Sequence, residues 1–123
     1  MTDQEINEAV ARKLGYDLIS HPDTQELRIQ RNEESFVRSG GVFFLETIPD
    51  YCNDIQAAWE IVEKMQKQFD YVEVIHAKTE PGPWSCGARN LTIWEVWQSA
   101  STAPMAICLA FLALDGKLDK SAN

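Results

Sequence analysis

The sequence is poor in the residues that bind metals and form disulfides. It contains two histidines, His21 and His76, and three cysteines, Cys52, Cys86 and Cys108. No pair among them has the CxxC, HxxxH or HExxH spacing of a zinc site, and three widely separated cysteines do not form a disulfide framework. We therefore expect buried free thiols, no metal ion and no cofactor.

Positive charge and long apolar segments are also scarce. The chain has 11 Lys and Arg against 19 Asp and Glu, a net charge of -8, so it lacks the cationic face that nucleic acid polymers and anionic membranes require. The longest apolar run, near "APMAICLAFLAL", has about a dozen residues, too few to cross a bilayer. The start "MTDQEINEAV" lacks the basic and apolar parts of a signal peptide. These features predict a soluble, cytosolic protein. They do not exclude a small anionic ligand held by a few arginines.

Catalytic signatures are missing as well. The sequence has no GxGxxG, no phosphate loop and no kinase-type motif. Cys86 lies between Ser85 and Gly87, but no neighbouring sequence forms a nucleophile elbow or an oxyanion loop. We expect a protein that is not an enzyme and has no catalytic residues.

What the sequence does contain is an alternation of helix and strand patterns. Helices are predicted over residues 3–14, 53–69 and 103–114 by apolar periodicity and by capping pairs such as Thr2 with Glu5 and Asn53 with Gln56. Strands are predicted at "ELRIQR", "SFVRSGGVFFLE", where Gly40–Gly41 marks a turn or bulge, "YVEVIHA", "WSCGARN" and "LTIWEVWQS". This order predicts one α+β domain over residues 1–123, an antiparallel sheet packed with helices, with 116–123 as a frayed tail.

The second and third helices differ in their apolar surface. In the second, Ile55, Trp59 and Val62 recur at helical spacing, which predicts a single face lying on the sheet. The helix from Ala103 to Leu114 is apolar on every side. One face of a sheet cannot cover all of that surface. We therefore expect a homo-oligomer with this helix in the contact between subunits.

The segment "WSCGARNLTIWEVW" is the strongest candidate for a binding site. It places Trp84, Arg89, Asn90, Trp94 and Trp97 close together in sequence. A guanidinium for phosphate, an amide for a base or ribose, and an aromatic face for a ring are what a nucleotide-sized ligand needs. The alternative is that the tryptophans fill the core and Arg89–Asn90 is a solvated turn.

Two helical segments also indicate a family. "IPDYCNDIQAAWEIVEKM" and the later "STAPMAICLAFLAL", together with the early "ARKLGY", resemble the phage ABA sandwich domain over roughly residues 1–114. The resemblance implies layers of helix, sheet and helix, with Trp59 and Val62 of the second helix buried on the sheet as scaffold. Small phage proteins of this general appearance include the Thoeris anti-defence sponges, which sequester cyclic nucleotide immune signals without cleaving them.

These considerations lead to two functional hypotheses. The first is a phage protein in the bacterial host cytoplasm that sequesters a cyclic ADP-ribose isomer or cyclic oligonucleotide between subunits. The expected ligand-binding residues are Arg89, Asn90, Trp84, Trp97, Thr102 and Arg38. The second is a small accessory protein that inhibits a host protein by direct protein–protein contact.

Overall fold

The computed structural model describes residues 1–31, 44–77 and 82–114. These residues form an α+β fold, which confirms the predicted class. The helices are α1 (Asp3–Lys13), α2 (Ile55–Gln66) and α3 (Ala103–Ala113), and the strands are β1 (Asp17–Ser20), β2 (Leu27–Arg31), β3 (Phe44–Thr47), β4 (Tyr71–His76), β5 (Trp84–Asn90) and β6 (Ile93–Ala100). They pair into two antiparallel sheets in the orders β1-β2-β3 and β4-β5-β6. The predicted Gly40–Gly41 turn, Arg38 and the predicted tail lie outside the described residues.

The helix starts follow the capping chemistry of the sequence, with one correction. At α1, the Thr2 hydroxyl accepts from the Glu5 amide at 3.1 Å and the Glu5 carboxylate accepts from the Thr2 amide at 3.0 Å, which confirms the predicted capping box. The capping box predicted for Asn53 and Gln56 is wrong. Asp54 is the N-cap of α2, because its carboxylate accepts from the Gln56 amide at 3.0 Å.

The buried stripe of α2 is offset by one position from the predicted one. Its buried residues are Ala58, Ile61, Val62 and Met65. Trp59 is 46% exposed, so the prediction that this side chain is buried on the sheet is wrong. Consecutive helical residues point about 100° apart, and the stripe that begins at Ala58 therefore turns Trp59 toward solvent. Val62 is buried as predicted.

Helix α3 buries most of its apolar surface within a single chain. It contacts β5 and β6 and also α1 and α2, and Ile107, Cys108 and Phe111 are fully buried. Lys13 of α1 donates to the Phe111 carbonyl at 2.7 Å, supplying a cation near the carboxyl end of α3. Most of its apolar surface is thus covered inside one chain, whereas Met105, Leu109 and Leu112 are only partly buried, and a contact between subunits at this helix stays a prediction.

The described helices include none with the length and apolar character needed to span a membrane.

Candidate binding surface

The sheet formed by β4, β5 and β6 buries one face against the helices. The inner-face residues belong to the hydrophobic core or pack against it, and they are Val72, Val74, Trp84, Cys86, Ala88, Val96 and Ala100. Side chains alternate between the two faces of a strand, so the residues between these positions point the other way. The opposite face, which we call the outer face, therefore carries the candidate surface.

Four side chains of the outer face stack in a row that we call the ladder: Tyr71, Arg89, Trp94 and Trp97. Arg89 on β5 is opposite Tyr71 on β4 and Trp94 on β6. Its guanidinium carbon lies 4.4 Å from the centroid of the Tyr71 ring and 5.4 Å from that of Trp94. The Trp94 and Trp97 rings meet edge to face at 5.0 Å. These are favourable aromatic and cation–π geometries.

The ladder lies on the surface and not in the core. Tyr71, Trp94 and Trp97 are 42%, 43% and 41% exposed. Leu91 and Ile93, in and after the turn that joins β5 to β6, are more exposed still. Large apolar side chains exposed together in this way are typical of interaction sites.

A bulge brings Trp94 and Trp97 to the same face. Residues three apart in a regular strand point to opposite faces. Here Ala88 pairs with Val96 whereas Arg89 pairs with Trp94, so β6 contributes one extra residue at this point. The irregularity reverses the alternation between the two tryptophans, as β-bulges do.

Gly87 lets both indoles lie against the sheet. It is opposite Trp97 in the register. A β-carbon at position 87 would lie 2.4 Å from Cε3 of Trp97 and 2.8 Å from Cζ3 of Trp94. Both distances are shorter than van der Waals contact between carbon atoms, so the ladder in this form requires glycine at that position.

The Arg89 guanidinium is held by rings and by a carbonyl. Its Nη1 donates to the Leu91 carbonyl at 2.5 Å, and its Nε is buried without an acceptor. Among the described residues, no carboxylate pairs with Arg89, and the ion pair that does form joins Arg28 to Glu26. The charge of Arg89 is thus compensated mainly by the faces of Tyr71 and Trp94.

The turn after Arg89 is fixed by the residue that precedes β4. The Asp70 amide donates to the Asn90 side-chain oxygen at 3.0 Å, and the Leu91 amide donates to the Asp70 carboxylate at 2.8 Å. Leu91 has a φ of 56°, in the left-handed region that disfavours a bulky residue. These two hydrogen bonds stabilise that conformation and hold the Leu91 carbonyl where Arg89 reaches it.

The structure gathers two of the predicted ligand-binding residues and separates the others. Arg89 and Trp97 share the ladder. Trp84 lies on the inner face, with its ring centroid 4.8 Å from that of His76. The side-chain oxygen of Asn90 is occupied by the turn, and Thr102 caps α3 by accepting from the Met105 amide at 3.4 Å. Arg38 lies outside the described residues.

Two members of the ladder were missing from the predicted set, namely Tyr71 and Trp94. Trp94 was in the suggestive segment but was not assigned a role. Tyr71 comes from a strand that ends well before that segment in sequence. Antiparallel pairing of "YVEVIHA" with "WSCGARN" would have placed Tyr71 beside Arg89, but the register needed for that inference depends on a loop of uncertain length.

The three cysteines are free and buried, as predicted. Desolvation raises the pKa of Cys86 and of Cys108 to about 12, and it raises the pKa of Cys52 to about 11. At neutral pH these thiols are uncharged, and an uncharged thiol is neither a good nucleophile nor a metal ligand. In the part of the chain that the structure describes, no group of three His, Cys, Asp or Glu side chains is arranged to hold a metal ion.

Clefts of about 310, 360 and 230 Å³ lie beside α1 and α2, away from the ladder. In the first, Arg28 donates to Thr47 and pairs with Glu26, and the Asn53 amide bridges Asp3 and Asp50. The polar groups of this cleft therefore largely bond to one another, whereas the ladder presents aromatic surface without a covering element among the described residues.

Comparisons with known proteins agree with this architecture. The chain is similar to a solved phage protein from Bacillus cereus ATCC 14579, with a TM-score of 0.65, 28% sequence identity and coverage of 93% of this chain and 92% of the other. No curated protein matches the chain. The profile of the phage ABA sandwich domain matches residues 8–112. Since that match covers most of the sequence, the chain belongs to the phage ABA sandwich domain family.

Proposed function

We propose that the chain is a non-catalytic phage protein that binds another protein, in the host cell, through the ladder. The observation that carries this proposal is the half-exposed stack of Tyr71, Trp94 and Trp97 around Arg89. Trp, Tyr and Arg are the residue types most enriched among those that dominate protein–protein binding energy. Exposing them together costs solubility, and a partner that covers them offsets that cost.

The shape of the surface favours a protein partner over a small ligand. Small-molecule sites are concave and bury most of the ligand. The ladder lies on the face of a sheet, and the clefts described above are elsewhere. The ladder itself, three aromatic rings around one cation, fits the core of a protein–protein interface.

A cyclic nucleotide is the second candidate ligand, and one observation favours it. Arg89 has no described carboxylate partner and stands beside the exposed Trp97 and Trp94 rings, so a phosphate and a base have adjacent sites. Asp70 and Glu73 lie on either side of Tyr71 in sequence, and the whole chain has a charge of -8. Both oppose the approach of an anion, which places this candidate second.

Co-purification from the bacterial host tests the protein-binding proposal. Affinity-tagged parent protein, Arg89→Ala, Trp97→Ala and Trp59→Ala are expressed during infection, and bound host proteins are quantified by mass spectrometry. Trp59 is the matched control, since it is equally exposed but lies on α2. A partner of the ladder should be depleted about thirtyfold or more in the two ladder variants, the effect of losing about 2 kcal/mol. A host protein retained equally by all four proteins would refute the proposal.

Calorimetric titration tests the nucleotide candidate with the same four proteins. The probes are cyclic ADP-ribose isomers and cyclic oligonucleotides. Binding by the parent and by Trp59→Ala, lost in Arg89→Ala and Trp97→Ala, would favour nucleotide sequestration. Heating the complex should then release the probe intact, because no catalytic step is proposed, and release of a cleaved product would contradict the non-catalytic assignment.

A further inference from the structure

The outer face carries one residue of each charge close together. Glu73 is on β4, two residues after Tyr71, and is paired with Gly87 in the register. Arg89 is on β5, two residues after Gly87 and opposite Tyr71. Glu73 and Arg89 are thus diagonal neighbours on the same face, at positions about 7–8 Å apart in a regular sheet.

The two charges do not pair within the chain. The Glu73 carboxylate accepts from the Tyr71 hydroxyl at 3.4 Å. Arg89 turns instead toward the rings and the Leu91 carbonyl. Within the described ranges, each of these two charges therefore lacks an ion-pair partner on a partly apolar face.

We propose that, when no target is bound, the ladder faces of two copies dock on each other, with Arg89 of each copy paired with Glu73 of the other. A two-fold axis between two facing sheets exchanges any two positions placed symmetrically about it. One such axis therefore forms both ion pairs at once, which makes the face self-complementary. The proposal rests on the proposed function only for the identity of the binding face.

The packing suits the surface in two further respects. Sheets that pack face to face interdigitate the side chains of their two inner faces. The Trp94 and Trp97 side chains, which are 43% and 41% exposed in one copy, would fill such a layer. The charge of -8 per copy opposes association at long range, and physiological salt screens that repulsion beyond about 8 Å, whereas the two ion pairs act at contact.

Sedimentation velocity at several protein concentrations tests the proposal through charge reversal. We expect the parent and Trp59→Ala to form dimers. We expect Arg89→Glu alone, and Glu73→Arg alone, to weaken the dimer association constant by at least about a hundredfold, because each places like charges opposite each other twice. Circular dichroism verifies that both variants are folded.

Mixing the two variants gives the decisive measurement. An Arg89→Glu copy carries two acidic groups at these positions and a Glu73→Arg copy carries two basic ones, so the mixture should restore dimers that neither variant forms alone. A parent that is monomeric at all concentrations would overturn the proposal. So would a dimer that both charge reversals leave unchanged, or folded variants that stay monomeric when mixed.

The outcome separates this inference from the proposed function. A monomeric parent that still captures a host protein through Arg89 and Trp97 would overturn the self-docking and leave the function intact. A dimer with the expected charge dependence, but with no captured host protein, would support the self-docking and overturn the proposed function. If both hold, the dimer-breaking variant Glu73→Arg shows whether self-docking competes with target binding.

Discussion

Replacing Gly87 with alanine should lift the two indoles of the ladder from the sheet without unfolding the protein. The added β-carbon would meet the Trp97 ring at 2.4 Å and the Trp94 ring at 2.8 Å, whereas carbon atoms in contact lie about 3.5–4.0 Å apart. The Trp97 ring must therefore move by about 1 Å or more and the Trp94 ring by about 0.7 Å or more. Overpacking a buried site costs about 1–3 kcal/mol. Both rings have solvent on one side, so we expect a loss near the lower end, about 1 kcal/mol of unfolding free energy.

Near-ultraviolet circular dichroism and urea unfolding measure the two parts of this prediction. Gly87→Ala should lose the signal of the close edge-to-face pair of Trp94 and Trp97 and keep its far-ultraviolet spectrum. Trp97→Ala is the matched background, because removing that indole also removes the shortest contact. In the Trp97→Ala background, Gly87→Ala should therefore lower the unfolding free energy by less than it does in the parent. An unchanged near-ultraviolet spectrum, or an equal penalty in both backgrounds, would show that Gly87 does not position the ladder.

The remaining predictions concern the core and its surface. Phe111→Ala should lower the unfolding free energy by about 3–5 kcal/mol in urea titrations, since this ring is fully buried in α3. Trp59→Ala should cost no more than about 1 kcal/mol in the same assay, because the side chain is nearly half exposed. A thiol whose pKa is raised by folding contributes fully to stability at a pH below its pKa in the unfolded state. That contribution decreases as the pH rises from there through the pKa of the folded state. Stability should therefore fall from about pH 8.5 upward through the raised pKa values of about 11 and 12 of Cys52, Cys86 and Cys108. A melting temperature that does not fall over this range would contradict the burial of these thiols.

Local features of the sequence predicted the three helices and five of the six described strands, but not β1 or the division of the strands into two sheets. Thr2 and Glu5 fix the start of α1 by hydrogen bonds between residues three apart in sequence. Gly, Pro and polar residues mark the ends of the predicted strands. Both features can be predicted from neighbouring residues alone. The start of α2 was missed by one residue, since Asn53 and Asp54 both suit an N-cap and the choice depends on neighbouring carboxylates.

The features that the sequence did not predict depend on contacts between residues that are distant in sequence. The offset that exposes Trp59 is set by how α2 packs on α3, and the covering of α3 depends on α1, α2 and β5, which are distant from it in sequence. The ladder depends on a bulge opposite Arg89, and no local pattern in "LTIWEVW" marks the extra residue. Strict alternation would have placed Trp94 and Trp97 on opposite faces, and it therefore hides the surface that the structure reveals.

The position of α3 at the centre of the core has a consequence for the order of folding. Its residues follow every other described element in the chain, yet α1, α2, β5 and β6 all pack against it. During synthesis these elements must wait, with their apolar faces uncovered, until residue 114 has left the ribosome. Exposed apolar surface in such intermediates promotes aggregation and chaperone binding. Final collapse of the nascent chain should thus be a late, cooperative event that begins when α3 arrives.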